Sequence, residues 1–182
     1  MQKCFKFRLY PSRRQREILE RMLNTCRILY NNALAERKEA WEKEKRSVNY
    51  HEQAMALPNK KNGNPFLPRV HSQVLQDVLR RVDKSFKSFF RHIKNGEKPG
   101  YPRFKGYWRY DSFVYPQFGF KFNGKKLMLS KIGEVNIKLH RPIDGVIKTC
   151  TLRRDVDRWY ACFTVETNSM VEKKEVRKAV GV

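Results

Sequence analysis

The sequence predicts an α+β fold, a small β-barrel interrupted by a helical insertion, and the changing period of its apolar residues is what predicts it. Those residues alternate over the first ten positions, recur at three and four residues through two long segments, and alternate again from residue 113 onward. A strand, then helices, then five strands implies that the opening strand pairs with the later ones and closes a barrel with no exposed sheet edge.

Phe5, Phe7 and Leu9 alternate with Lys6 and Arg8, giving a first strand with one buried and one basic face that Tyr10-Pro11 ends. Ser12, with Gln15 three positions on, forms a capping box. Behind it Ile18, Leu19, Met22, Leu23, Cys26, Leu29, Tyr30, Ala33 and Leu34 keep helical spacing, and the helix continues through Trp41 toward Arg46. Its other face bears Arg13, Arg14, Arg16, Arg21, Arg27, Arg37 and Lys38, and a solvated face is the default reading of such charges.

Tyr50 to Leu57 form a short helix that Pro58 stops, and residues 58–68 are loop by composition. A second long helix starts near Ser72, with Val74, Leu75, Val78, Leu79, Val82, Phe86, Phe89, Phe90 and Ile93 on one face and Asn95-Gly96 closing it. The long connection between the two long helices argues against the tight turn of a helix-turn-helix reader. Residues 113–122, 127–130, 134–140, 146–153 and 158–166 read as strands, with turns at Asn123-Gly124, Ile132-Gly133 and Asp144-Gly145. Val176 to Val182 return to a strand.

The 182 residues carry 40 Lys and Arg against 18 Asp and Glu, a formal charge of +22. A compact body with that charge repels itself unless an anion offsets it, and nucleic acid is the expected anion. No long apolar run and no basic amphipathic helix with one clean apolar face points to a membrane, and the start lacks a secretory apolar region. Cys4, Cys26, Cys150 and Cys162 form no Cys-x-x-Cys pair and have no His at ligand spacing. A zinc site in this chain is therefore not expected, and the four read as reduced, buried thiols of a cytoplasmic protein.

Residues 98–122 mix cations and rings most densely. Lys98, Arg103, Lys105 and Arg109 can each meet a phosphate, while Tyr101, Phe104, Tyr107 and Trp108 offer faces on which unpaired bases stack. Pro99, Gly100 and Pro102 break regular structure and leave these cations on a loop. Strand patterning assigns Phe113, Phe118, Phe120 and Phe122 to a core instead. Lys121, Lys125, Lys126 and Lys138 extend the basic surface onto the barrel.

Lys6-Phe7-Arg8-Leu9-Tyr10-Pro11 with Gln15, Arg27-x-x-Tyr30-Asn31, Ser72-Gln73-Val74-Leu75-Gln76, Phe89-Phe90-Arg91, Gly100-Tyr101-Pro102-Arg103-Phe104-Lys105 and Ile132-Gly133-Glu134-Val135 follow one another in order from residue 3 onward. Together these segments resemble the TnpB family, the OrfB-type proteins of insertion sequences and relatives of the type V CRISPR effectors. The resemblance implies a wedge-type barrel in residues 1–11 and 107–172, a helical recognition insertion in 12–97, a basic aromatic connector in 98–106 and the first strand of an RNase H-like (RuvC-like) nuclease domain in 173–182. It also implies a guide RNA partner and a double-stranded DNA target with a short adjacent motif, sequence being read by base pairing. By position in the family pattern, Tyr50, Ser72, Gln73 and Gln76 would read that motif; Gln pairs bidentately with adenine, and Ser or Tyr reaches phosphate or a base edge.

Family members follow the strand that ends here in Gly181-Val182 with a metal-binding Asp, and later with a Glu, a second Asp and a zinc ribbon. This chain has none of these, so catalytic residues are not expected in it, and divalent metal and zinc belong to a C-terminal part. It reads as a fragment or truncated product. Asp111, Asp144, Asp155 and Asp157 are better read as caps or ion-pair partners than as a substitute metal cluster. The competing function is a stand-alone DNA-binding transposition accessory or regulator that acts without RNA.

Overall fold

The computed structural model describes residues 1–123 and 125–167. The strand expected over 176–182, and with it the nuclease segment 173–182, lies outside the described residues. In order the elements are β1 (Gln2–Tyr10), α1 (Arg13–Glu44), α2 (Tyr50–Asn62), α3 (Ser72–Lys94), β2 (Ser112–Tyr115), β3 (Phe120–Asn123), β4 (Lys126–Leu129), β5 (Gly133–Lys138), β6 (Val146–Asp155) and β7 (Arg158–Glu166). Short 3-10 turns occupy Leu67–Arg69 and Tyr107–Arg109.

The capping box is present: Ser12 Oγ accepts from the Gln15 amide, and Gln15 Oε1 accepts from the Ser12 amide. Gln15 Nε2 also donates to the Glu134 carbonyl at 2.6 Å, tying the start of α1 to β5. Pro58 does not stop α2, which runs on to Asn62. Proline removes one backbone bond, but the turn beyond it is held from outside. Lys60 Nζ pairs with Glu36 at 2.7 Å and Lys61 Nζ donates to Ser72 Oγ at 2.7 Å.

Arg37, expected on a solvated face, is buried between all three helices. Its Nε donates to Gln53 Oε1 at 2.9 Å and its Nη1 pairs with Asp83 at 3.2 Å, while Gln53 Nε2 reaches the Ala33 carbonyl. Burying a guanidinium is costly unless it is paired; α2 and α3 each supply one acceptor, while Nη2 is buried with no hydrogen-bond partner among the described residues.

The strands form one antiparallel sheet in the order β2-β6-β7-β1-β5-β4-β3, so β1 pairs with the later strands β5 and β7 as expected. The expected strand 113–122 is split in two, and its halves lie at opposite edges. Seven flat strands would set those edges about 29 Å apart, yet the link from Tyr115 to Phe120 reaches only about 18 Å fully extended. The sheet therefore curls, and Phe120 and Phe122 of β3 cross its concave interior to meet Phe163 of β7 at 6.3 and 5.1 Å. Closure is incomplete: no ladder joins β2 to β3 among the described residues, so this is a half-barrel with edges, not the closed barrel expected.

The link turns at Gly119, where φ is +93° and a Cβ would fall 2.7 Å from the Tyr115 ring, leaving no room for a side chain. Phe118, expected in the core, is exposed at the tip of this link. One hydrophobic cluster runs through both layers, from Leu19, Cys26 and Val78 in the helices to Phe113, Trp159 and Phe163 in the sheet. Cys26 and Cys150 are buried and Cys162 is half-buried, whereas Cys4, expected inside, is exposed. Burial pushes the Cys26 thiol up to about 12, which suits an inert core residue.

Candidate nucleic-acid interface

The connector between α3 and β2 is held by its backbone. Asn31 Oδ1 accepts from the Lys105 amide at 2.8 Å, Asn31 Nδ2 donates to the Lys105 carbonyl at 3.0 Å, and Arg27 Nη1 approaches the same carbonyl at 3.4 Å. Two segments set apart in the sequence, Arg27-x-x-Tyr30-Asn31 and Gly100 to Lys105, thus meet in space. Upstream, Tyr101 sits edge-on to Phe86 and Phe89 at 5.8 and 5.4 Å, and Pro102 is buried. With main chain and anchors spent on docking, the cations are left over. Lys98, Arg103, Lys105 and Arg109 have no carboxylate at ion-pair distance among the described residues, and Phe104 is exposed beside them.

The connector's end is built around Arg154. Its guanidinium lies 4.7 Å from the Tyr107 ring centre and 5.2 Å from that of Trp108, while Nη1 pairs with Glu20 at 2.5 Å and Nη2 donates to the Tyr107 carbonyl. Tyr107 Oη donates to Glu20 at 3.2 Å and stands perpendicular to Trp108. Tyr107 is thereby committed to structure. Trp108 keeps 78% of its surface exposed and presents a fixed flat face. The signal for Arg154 was its parity, since it shares the inward register of Cys150 and Leu152 on β6.

A second group of expected residues lies on the sheet. Lys121, Lys126 and Lys138 alternate with inward residues, so they point outward, and Lys125 is exposed at the β3–β4 turn. Lys138 is directly opposite Arg8 in the β1–β5 register. Like charges facing each other across a ladder destabilise it, and neither has an acidic partner among the described residues. Lys126 differs: it pairs with Glu134 at 3.2 Å, and bonds from Asn123 and then Lys126 hold that carboxyl below its usual range.

The third group sits on α2 and α3. Ser72 is exposed at the start of α3, with its hydroxyl accepting from Lys61. Gln73 Oε1 accepts from the Phe118 amide at 3.2 Å, which leaves its Nε2 to offer. Gln76 is half-buried and makes no side-chain hydrogen bond among the described residues. Tyr50 is half-buried, with the Arg80 guanidinium 5.5 Å from its ring centre. Of the acids expected as caps or ion-pair partners, Asp111 pairs with Arg153, Asp155 with Lys6 and Asp157 with Arg158.

Residues 1–46 match a family model described as a helix-turn-helix domain, of the OrfB type. In this chain they form β1 and one unbroken helix, with no tight turn between two helices. Two curated relatives align along the chain. One, named "Putative RNA-guided DNA endonuclease InsQ", from Escherichia coli (strain K12), is 31% identical over 172 residues, covering 92% of this chain and 41% of the relative. The other, "Putative RNA-guided DNA endonuclease" from Streptomyces pristinaespiralis, is 31% identical over 189 residues, covering 100% of this chain and 46% of the relative. The chain spans less than half the length of either.

Fold and surface together define a strongly basic α+β protein, a curled antiparallel sheet joined to three helices. It belongs to the TnpB family.

Proposed function

We propose that this chain is the guide-RNA- and target-DNA-binding half of an RNA-guided DNA endonuclease. The observation that carries the reading is the connector, whose backbone is clamped to α1 while its four cations have no acidic partner among the described residues. Such an arrangement stores positive potential on a rigid frame and suits a polyanion, whose phosphates the cations meet as Trp108 and Phe104 stack on bases. The opposed Arg8 and Lys138 support it, because a phosphate between them relieves their repulsion.

In this reading the sheet and connector hold structured RNA through its backbone, and Tyr50, Ser72, Gln73 and Gln76 face the motif beside the DNA target. Gln76, with neither amide atom engaged among the described residues, is the better candidate for bidentate pairing with adenine. Strand cleavage, with its divalent metal, and a zinc site are assigned to a C-terminal part of the nuclease. The relatives' names, which specify RNA-guided DNA cutting, support this reading.

A competition experiment tests it. Structured RNA transcribed from the end of the insertion-sequence element that carries the gene should displace a labelled bare DNA duplex from the protein. Preference for bare duplex with a fixed motif over that RNA would instead establish a DNA-binding accessory acting alone.

A further inference from the structure

Near the C-terminal ends of α1 and α3 the protein leaves aromatic rings in water. α1 contributes Arg37 and Trp41, α3 contributes Phe86, Phe89 and Phe90, and the connector contributes Tyr101 to the lining of one hollow of about 270 Å³. Trp41 keeps 56% of its surface exposed and Phe90 keeps 60%. Large rings gathered at one exposed place mark a surface that something else covers.

The size and polar groups of the hollow limit the occupant. Pockets that enclose a drug-sized ligand hold roughly 300–1,000 Å³, so this one has room for a single planar ring system. No carboxylate lines it, and the buried members of its lining are Val48 and Arg37. Arg37 Nη2 has no hydrogen-bond partner among the described residues, and the centre of that guanidinium lies 5.4 Å from the Phe86 ring centre. A cation behind the rings gives the hollow a positive potential, which suits a ring bearing carbonyl acceptors. Arg46, the other cation of the lining, is paired with Glu44 and Glu52. Ser47 and Val48 also line the hollow, and their backbone amides and carbonyls make no hydrogen bond among the described residues. They leave donors and acceptors beside the rings.

Tyr101 indicates which molecule supplies the ring. It stands in the connector, with Lys98 three residues before it and Arg103 two residues after it, each within about 11 Å along even an extended chain. Neither cation has an acidic partner among the described residues, and Glu42, the acid that acts on Tyr101, is offset by Lys38 at 3.7 Å. A strand held by those cations passes the hollow. Single-stranded loops and bulges of RNA are where bases splay out, stack on aromatic side chains and offer their edges.

We propose that the hollow captures one unpaired base of the RNA that the connector binds, stacked on Trp41 and Phe90, with its edge on the Ser47–Val48 backbone and its flanking phosphates on Lys98 and Arg103. The choice of RNA rests on the function proposed above and on Tyr101, which belongs to both the hollow and the connector.

The test is equilibrium binding of structured RNA from the end of the insertion-sequence element to the protein across a salt series. The double variant Trp41→Ala, Phe90→Ala should bind roughly 5- to 150-fold more weakly. Its slope of log affinity against log salt should match wild type, because it removes stacking and no charge. Trp41→Phe alone should keep most of the affinity. Ultraviolet cross-linking of the wild-type complex should join Trp41, Phe90 or Tyr101 to a single nucleotide, and this readout decides if the double variant melts below wild type. A double variant with wild-type RNA affinity, or a hollow that cross-links to no nucleotide or to many, overturns the capture while leaving the wider reading standing. A dimer that the double variant splits, with RNA affinity unchanged, also overturns it, because the occupant is then a second copy of the chain. A wild type that fails to bind structured RNA at any salt concentration sinks both the capture and the proposed function.

Discussion

Asn31 holds Lys105 by both sides of its peptide backbone, accepting from its amide at 2.8 Å and donating to its carbonyl at 3.0 Å. This two-point grip fixes the connector against α1 while spending none of the connector's charge. Asn31→Ala removes two hydrogen bonds, each of roughly 0.5–1.5 kcal/mol, and should free the connector locally rather than unfold the protein. Amide exchange at Lys105 should accelerate and RNA affinity should fall, whereas the global melting temperature should change little.

Trp108 is fixed from behind by Arg154 and Tyr107 and open in front. Base stacking on such a face contributes about 1–3 kcal/mol, so Trp108→Ala should weaken single-stranded RNA binding by roughly 5- to 150-fold. Trp108→Phe should retain most of the affinity. Equilibrium binding at one fixed salt concentration checks both variants.

Arg37 and Asp83 set a limit on the helical layer. Truncating Arg37 leaves Gln53 Oε1 without its donor and Asp83 with Lys87 alone. Removing one member of a fully buried pair costs about 3–5 kcal/mol, so urea unfolding of Arg37→Ala should show a loss below that range. Burial raises the Asp83 pKa, but bonds from Lys87 and Arg37 outweigh burial and hold it below the usual carboxylate range. A depressed folded value means the stabilisation is complete above the unfolded value of roughly 4 and is lost as pH falls through the folded one. The urea midpoint of wild type should therefore drop in acid, and Asp83→Asn should flatten that drop.

Gly119 makes the bend that carries the chain from one sheet edge to the other. Gly119→Ala imposes a left-handed conformation of about 1–2 kcal/mol and drives a Cβ to within 2.7 Å of the Tyr115 ring, so the destabilisation should exceed that figure. A lowered melting temperature, with Gln73→Ala producing a smaller fall through the missing Phe118 bond, is the expected pair of results.

Local rules account for much of this fold. The Ser12–Gln15 box, the start of α3 at Ser72 and the strands β4 to β7 follow from spacing and turn residues alone. Local rules fail where tertiary partners override a local signal. Pro58 should end α2, but Glu36 and Ser72 anchor the turn beyond it. Phe113 and Tyr115 share one parity and Phe118, Phe120 and Phe122 the other. Pro116 and this shift of parity are the local sign of a break that a single strand over 113–122 ignores, although neither shows that the two halves go to opposite edges. Arg37 has the sequence signature of one more surface cation, because the acceptors that bury it come from helices distant in sequence. At the candidate site, the connector's cations are legible as composition, whereas their support by Asn31 and Arg154 depends on which segments meet.

The most direct test of the whole account is the affinity for structured RNA from the end of the element, measured by filter binding between 50 and 200 mM salt. With about six to ten phosphates neutralised, affinity should fall by roughly three to five decades over that range. A flat profile would contradict the claim that this cationic surface binds a nucleic-acid backbone.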